Sequence, residues 1–298
     1  MSFSQFCLQN QIDLKKDEIM KNHVSFKIGG KADYFVTCRN INQLKLAIAE
    51  LKRLSIPYFV IGKGSNLLVS DKGIEGAVIS LAEFNDISVC ENTVIAGAGV
   101  SLARLCTHAL ENSLSGLEFA YGIPGSVGGA LFMNAGAYGG EMSQVVVSAT
   151  VLTEDGEVKE IDAKDMNLGY RTSVFKTNGD IILSVKCKLE KGDSAQIKAQ
   201  MDDFLARRID KQPLEYPSAG STFKRPVGHF AGALIEKNNL KGASVGGAMV
   251  SEKHAGFVIN YDNATANDVL ALMQKIKDTV LEKDAVKLEP EVIFVGRK

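Results

Sequence analysis

Residues Tyr121-Gly-Ile-Pro-Gly-Ser-Val-Gly-Gly-Ala-Leu-Phe-Met-Asn-Ala-Gly-Ala-Tyr-Gly-Gly-Glu141 place seven glycines among apolar residues. A flexible linker would be polar. Here Ile123, Val127, Leu131, Phe132 and Met133 can pack, while the glycines let backbone N–H groups approach a ligand without side-chain obstruction. A loop of this kind suits a pyrophosphate.

Two more glycine loops lie upstream, each where a strand should end. Gly62-Lys-Gly-Ser-Asn-Leu-Leu68 follows the apolar run Tyr58-Phe-Val-Ile61, and Gly97-Ala-Gly-Val100 follows Val94-Ile-Ala96. A Rossmann dinucleotide fingerprint needs its third glycine inside an opening helix, whereas Gly62 and Gly64 run into Leu67-Leu-Val69, which reads as another strand. That fold is disfavoured. Three strand-terminal glycine loops in the first half imply one extended, phosphate-bearing ligand held largely by backbone amides, because oriented N–H groups bind anions without a helix dipole. A flavin dinucleotide fits this description.

With 298 residues, 45% of them hydrophobic, and a formal net charge of -1, the chain can bury a substantial core and divide into two or three domains. No stretch approaches the length of a membrane span, and Met1-Ser-Phe-Ser-Gln-Phe-Cys7 lacks the features of a signal peptide, so the cytoplasm is the expected location. Cys7, Cys38, Cys90, Cys106 and Cys187 form no CxxC pair or metal-ligand spacing, and His23, His108, His229 and His254 are scattered. Free thiols and no metal are expected. With a pI of about 6.5 and no basic run, nucleic acid is not an expected partner. A monomer is the default.

Along the chain, Asp33 to Cys38 reads as a strand, and Asn40 can cap a helix through Leu54 with Ile41, Leu44, Ile48 and Leu51 at helical spacing. The strand Tyr58 to Ile61 then completes a βαβ unit, so residues 1–70 are expected to form one lobe. Residues 71–193 read as a second, built of short strands (Ala77–Ser80, Thr93–Ala96, Gln144–Leu152, Val158–Ile161, Ile181–Leu189), a helix over Ser101–Glu111 and a hairpin turn at Asp155-Gly156. Residues 194–298 read as a third. It opens with a helix over Ser194–Ile209 that carries Ile197, Met201, Phe204 and Leu205 on one face. A helix near Phe230–Lys237, strands near Gly246–Val250 and Phe257–Asn260, a helix starting at the Thr265/Asp268 capping pair and a strand over Glu291–Gly296 follow. The fold class is α+β.

Three places offer side-chain chemistry. Arg171, in Gly169-Tyr-Arg-Thr-Ser173, is the candidate fixed cation of the middle lobe. Ser221, in Tyr216-Pro-Ser-Ala-Gly-Ser-Thr-Phe-Lys-Arg-Pro226, lacks a hydrolase elbow but can deliver a proton. Leu288-Glu-Pro-Glu-Val292 sets two carboxylates around a proline at the start of an apolar strand. Taken singly, each is more often a salt-bridge partner, a turn residue or a solvated charge.

Together, in order, they resemble the UDP-N-acetylenolpyruvoylglucosamine reductase family of peptidoglycan synthesis. The resemblance spans nearly the whole chain. It is carried by Asn22-His-Val-Ser-Phe-Lys-Ile-Gly-Gly-Lys-Ala-Asp33, Gly62 to Leu68, Gly122 to Gly129 with Met133 to Gly139, Gly169 to Ser173, Gly220-Ser-Thr-Phe-Lys-Arg-Pro226, Leu240-Lys-Gly242, Val250-Ser-Glu-Lys-His-Ala-Gly-Phe257 and Leu288 to Val292.

The resemblance implies a two-lobed FAD-binding fold of the vanillyl-alcohol-oxidase type and a C-terminal substrate-binding domain. It implies noncovalent FAD, with contacts at Gly62, Lys63, Gly64, Ser65, Asn66 and Leu67, at Gly97 and Gly99, at Tyr121, Gly122, Pro124, Gly125, Ser126, Gly128 and Gly129, and at Asn134, Gly136 and Ala137. By the same resemblance NADPH reduces the flavin, and hydride passes from flavin N5 to C3 of UDP-N-acetylglucosamine enolpyruvate. Arg171 and a protonated Glu291 then stabilise the enolate charge, while Ser221 protonates C2. Lys224, Arg225 and Lys253 are candidates for the substrate diphosphate, with Lys224 preferred.

The chain departs from the family at Asn238-Asn239, where a Gly commonly precedes Leu-Lys-Gly, which suggests a different helix end. In length it resembles the shorter subclass, which lacks a tyrosine-bearing closing loop. A flavin oxidase acting on another substrate and a catalytically silent nucleotide-binding protein are the alternatives. Gly62 to Leu68 holds no His or Cys for covalent flavin attachment, which argues against many such oxidases, and the intact Arg171, Ser221 and Glu291 argue against a silent protein.

Overall fold

Most helix starts in this protein are capped by residues next to them in the chain. The computed structural model describes residues 1–298. Helix α1 (Phe3–Gln9) starts from a reciprocal Ser2/Gln5 capping box. Helix α2 (Ile41–Arg53) starts at Asn40, whose carboxamide accepts from the Gln43 N–H at 3.0 Å, and it buries Leu44, Ala47, Ile48 and Leu51. Ser101 and Ser126 play the same part for α3 (Leu102–Glu111) and the short α4 (Val127–Phe132). The later helices are α5 (Ser194–Lys211), α6 (Ala231–Lys237) and α7 (Ala266–Asp284). The Thr265/Asp268 box opens α7, and Asp71 adds a carboxylate that accepts from the N–H groups of Ala266 (2.8 Å) and Asn267 (3.2 Å).

A four-stranded sheet has the order Asp13–Ile19, Lys31–Thr37, Ile74–Ser80, Tyr58–Ile61. Tyr58–Ile61 follows α2 but pairs in parallel with Ile74–Ser80, from Tyr58 opposite Ala77 to Ile61 opposite Ser80. The expected βαβ unit is thus opened by a strand inserted between its two strands, and the sheet continues past residue 70. Periodicity identifies a strand without naming its neighbour. A five-stranded antiparallel sheet has the order Val158–Asp162, Val146–Leu152, Ile181–Lys188, Thr93–Gly97, Ile87–Cys90. Its first hairpin closes through Gly156 at φ +86°, where glycine carries no steric penalty.

Two compact units result. The first comprises Met1–Lys15, Phe35–Lys63 and Ala77–Arg208. It holds the five-stranded sheet, with Leu105, Leu131, Val151 and Val185 buried. The second comprises Lys16–Tyr34, Gly64–Gly76 and Ile209–Lys298. Its core gathers Phe26, Leu68, Phe223, Val250, Leu272 and Ile276. Within it Ser244–Val245, Ala248–Val250 and Val258–Asn260 form an antiparallel sheet, and Leu67–Val69 pairs in parallel with Ile293–Val295. Helix α5, read from the sequence as the start of the third lobe, belongs to the first unit as far as Arg208. No helix is long and apolar enough to cross a membrane.

Candidate active site

In the first unit the glycine loops lie against one another. A Cβ on Gly62 would come within 2.4 Å of Ser126 Oγ, and one on Gly128 within 2.8 Å of Ala98 Cβ. Backbone bonds from Val127 N–H to Val100 O (2.8 Å) and from Gly128 N–H to Ala98 O (3.0 Å) seat the 121–129 loop on the 97–100 loop. The middle loop has little to offer a ligand, since Gly97 and Gly99 donate to Asp86 O and Phe84 O, each at 2.9 Å. Their missing side chains serve packing, because a Cβ on either would come within 2.2 Å of a backbone carbonyl oxygen.

The outer loops are different. The N–H groups of Gly62, Lys63, Gly122, Gly125 and Ser126 donate to no acceptor of the chain, although Ser126 is only 2% exposed. Gly64 and Ser65, which continue the first loop into the second unit, likewise donate to none, and Gly64 is buried at φ +60°. Gly64 and Ser126 are buried, Ser65, Gly122 and Gly125 are partly exposed, and Gly62 and Lys63 are exposed. Buried backbone donors are ordinarily paired, so the unclaimed groups of Gly64 and Ser126, with the accessible ones beside them, fit an anionic ligand such as the FAD pyrophosphate. Further along that loop, Asn66 donates its Nδ2 to Glu291 O at 3.1 Å, and Leu67 opens a buried strand.

Arg171 occupies a tight turn of the first unit, in which Gly169 and Thr172 exchange backbone bonds at 3.2 and 3.1 Å. Its backbone is left-handed at φ +54°. The fully buried Asn134 (φ +42°) ties this turn to the glycine segment: its Nδ2 donates to Gly169 O at 3.0 Å and its Oδ1 accepts from Ser143 N–H at 2.9 Å. The Arg171 guanidinium donates to Gly136 O at 3.2 Å, and Lys176 Nζ donates to Arg171 O at 2.6 Å. Removing both groups in Asn134→Ala is expected to cost roughly 1 to 3 kcal/mol, about 2 to 4 °C in melting temperature per kcal/mol. A melting curve that overlays the wild type would show that Asn134 does not hold the turn.

Ser221 and Glu291 lie on hydrogen-bonded segments of the second unit. Glu291 N–H donates to Thr222 O and Lys224 N–H to Glu289 O, each at 2.9 Å, around a Phe223/Pro290 bridge. Thr222 is buried and anchored twice more, its N–H donating to Gly256 O and its Oγ1 accepting from Val258 N–H, each at 2.9 Å. Ser221 itself is exposed, and Gly220 before it stands at φ +78° facing open space. The chain here presents a hydroxyl on a braced frame.

The candidate diphosphate cations all have partners in the chain. Lys224 reaches Glu289 at 3.2 Å, Arg225 stacks over the Phe230 ring at 4.2 Å, and Lys253 donates to Ile209 O at 2.7 Å. Burial pushes the Cys7 thiol up to about 11 and those of Cys38 and Cys187 up to about 12, so they stay protonated at neutral pH. No group of three or more His, Cys, Asp or Glu side chains is placed to hold a metal ion.

Comparison with known proteins places this geometry. Residues 32–162 match the FAD binding domain, and residues 212–295 match the C-terminal domain of UDP-N-acetylenolpyruvoylglucosamine reductase. The UDP-N-acetylenolpyruvoylglucosamine reductase of Clostridium novyi is 50% identical over 286 residues, covering 96% of this chain and 93% of the relative. That of Alkaliphilus oremlandii is 54% identical over 283 residues, covering 95% and 93%. The crystal structure of the Thermus caldophilus reductase superposes with a TM-score of 0.81 at 34% identity, covering 95% of this chain and 98% of that one. At 14% identity the Physcomitrella patens BBE-like 1 structure shares the fold alone, with a TM-score of 0.50 over 64% of this chain and 45% of its own. The chain therefore belongs to the UDP-N-acetylenolpyruvoylglucosamine reductase family, and it is an FAD-dependent oxidoreductase of α+β fold.

Proposed function

We propose that the chain reduces UDP-N-acetylglucosamine enolpyruvate to UDP-N-acetylmuramate, with NADPH as the source of hydride and FAD bound noncovalently. Residues 1–70 and 71–193 carry the flavin in this reading, together with the part of α5 that packs in their unit as far as Arg208, and the remainder of residues 194–298 carries the substrate. When bound, FAD supplies a two-electron relay that takes hydride from NADPH and passes it to C3 of the enolpyruvyl group. The chain does the rest. Arg171 and Glu291 donate hydrogen bonds to the substrate carboxylate as enolate charge develops, and the Ser221 hydroxyl delivers the proton that completes C2. One hydride and one proton saturate the double bond, and no other bond breaks.

The observation that carries the reading is the backbone pairing of Glu291 with the residue beside Ser221, which sets the exposed serine next to the buried, triply bonded Thr222. Unclaimed amides at Gly62–Ser65 and at Gly122, Gly125 and Ser126 support the flavin's place. The test is the absorption spectrum of the purified protein, followed by anaerobic reduction with NADPH and reoxidation by the enolpyruvyl sugar nucleotide. Acid is expected to release the flavin into the supernatant. Flavin that stays with the precipitated polypeptide would overturn noncovalent binding, and a reduced protein that the sugar nucleotide does not reoxidise would overturn the substrate.

A further inference from the structure

Helix α5 carries two consecutive arginines in different situations. Arg207 points to solvent, where it pairs with Asp203 at 2.8 Å and lies 5.9 Å from the Phe204 ring. Arg208, one residue on, is half-buried and makes no hydrogen bond or ion pair with any group of the chain. Its stem lies against the glycine segment, since a Cβ built on Gly122 would come within 3.1 Å of Arg208 Cδ. One turn earlier on the same face, Phe204 stacks on Tyr138 with ring centroids 4.7 Å apart and planes 6° from parallel. These two contacts pin one face of α5 onto both ends of the 121–139 loop. Burial works against the Arg208 charge, and no carboxylate acts to offset it.

A desolvated guanidinium without a counterion costs stability unless a ligand completes it. Gly122, whose N–H is unclaimed, lies beside it, with the further unclaimed amides of Gly125 and Ser126 in the same loop. We propose that Arg208 is an anion-binding residue that pairs with a nucleotide pyrophosphate at the 121–126 loop. The guanidinium fork suits two phosphate oxygens and the amides supply the remaining donors. The same chemistry occurs in FAD and in the UDP moiety of the sugar nucleotide. FAD is the first assignment, which rests on the flavin reading of the glycine loops.

The test compares wild type, Arg208→Met and Arg208→Lys. Each deflavinated protein is titrated with FAD and each flavin-loaded protein with UDP, and the melting temperature of each flavin-free form is measured. Arg208→Met is expected to weaken FAD roughly ten- to a hundredfold, with Arg208→Lys recovering part of the loss. The flavin-free Met variant should melt at or above the wild type, because an unpaired, half-buried charge has been removed. A loss confined to UDP would assign the pyrophosphate to the sugar nucleotide instead. Unchanged affinity for both nucleotides overturns the proposal, and unchanged affinity with a lower melting temperature makes Arg208 a structural residue. Wild-type protein that binds no FAD would refute the flavin reading itself, leaving the UDP arm to decide the role of Arg208.

Discussion

In Ser221→Ala, flavin reduction by NADPH is expected to stay within a few-fold of wild type, while reoxidation by the enolpyruvyl sugar nucleotide slows roughly 10²- to 10⁴-fold. The separation follows from timing, because the hydroxyl is needed only after nicotinamide has left and hydride has reached C3. It also follows from the frame. Three backbone and side-chain bonds at Thr222 hold this segment, and none of them uses the Ser221 hydroxyl. Ser221 is exposed beside a glycine facing open space, so the substitution should change stability by less than about 0.5 kcal/mol. Stopped-flow measurement of the two half-reactions decides it. A loss of only a few-fold in the second would remove Ser221 as the proton donor.

Glu291→Ala should slow the same half-reaction by roughly 10²- to 10³-fold, the effect of removing one preorganised donor worth about 2.7 to 4 kcal/mol. Backbone bonds place Glu291 independently of its side chain: its N–H goes to Thr222 O, and its carbonyl accepts from Asn66 Nδ2. Truncation therefore leaves the segment in register. Glu291→Gln keeps a donor but cannot exchange a proton, so its rate should fall between those of wild type and Ala. Charge that appears only in the transition state calls for a change in rate rather than in substrate dissociation. Were Ala to raise the dissociation constant alone, Glu291 would be a binding residue.

The parts of this fold legible in the sequence are those decided within a few residues. Asn40, Ser101 and Thr265 each accept the N–H three residues on, and all three starts are readable because the partner is a neighbour in the chain. The departure at Asn239 turned out to be minor: it holds φ +56°, and asparagine tolerates the left-handed position that glycine commonly fills after a helix. Pairings across long separations were not legible. Nothing in Leu67-Leu-Val69 announces Ile293–Val295 as its partner, and nothing in Phe204 announces Tyr138. Among the candidate site residues, the glycine loops stood out by spacing, yet spacing cannot tell Gly97 and Gly99, whose amides are spent on Asp86 and Phe84, from Gly122 and Gly125, whose amides are free. Arg208 was missed because it reads like its paired neighbour. Only the absence of a carboxylate beside it sets it apart, and that is a property of the folded chain.

The parallel ladder of Leu67–Val69 with Ile293–Val295, together with the bond from Ser70 Oγ to Arg297 O at 2.6 Å, has a consequence for biosynthesis. The ribosome delivers residue 69 long before residue 297. At about 5 to 20 residues per second, the strand that continues the first glycine loop waits on the order of ten to forty seconds for its partner. Throughout that interval its edge is open to pairing with other nascent chains.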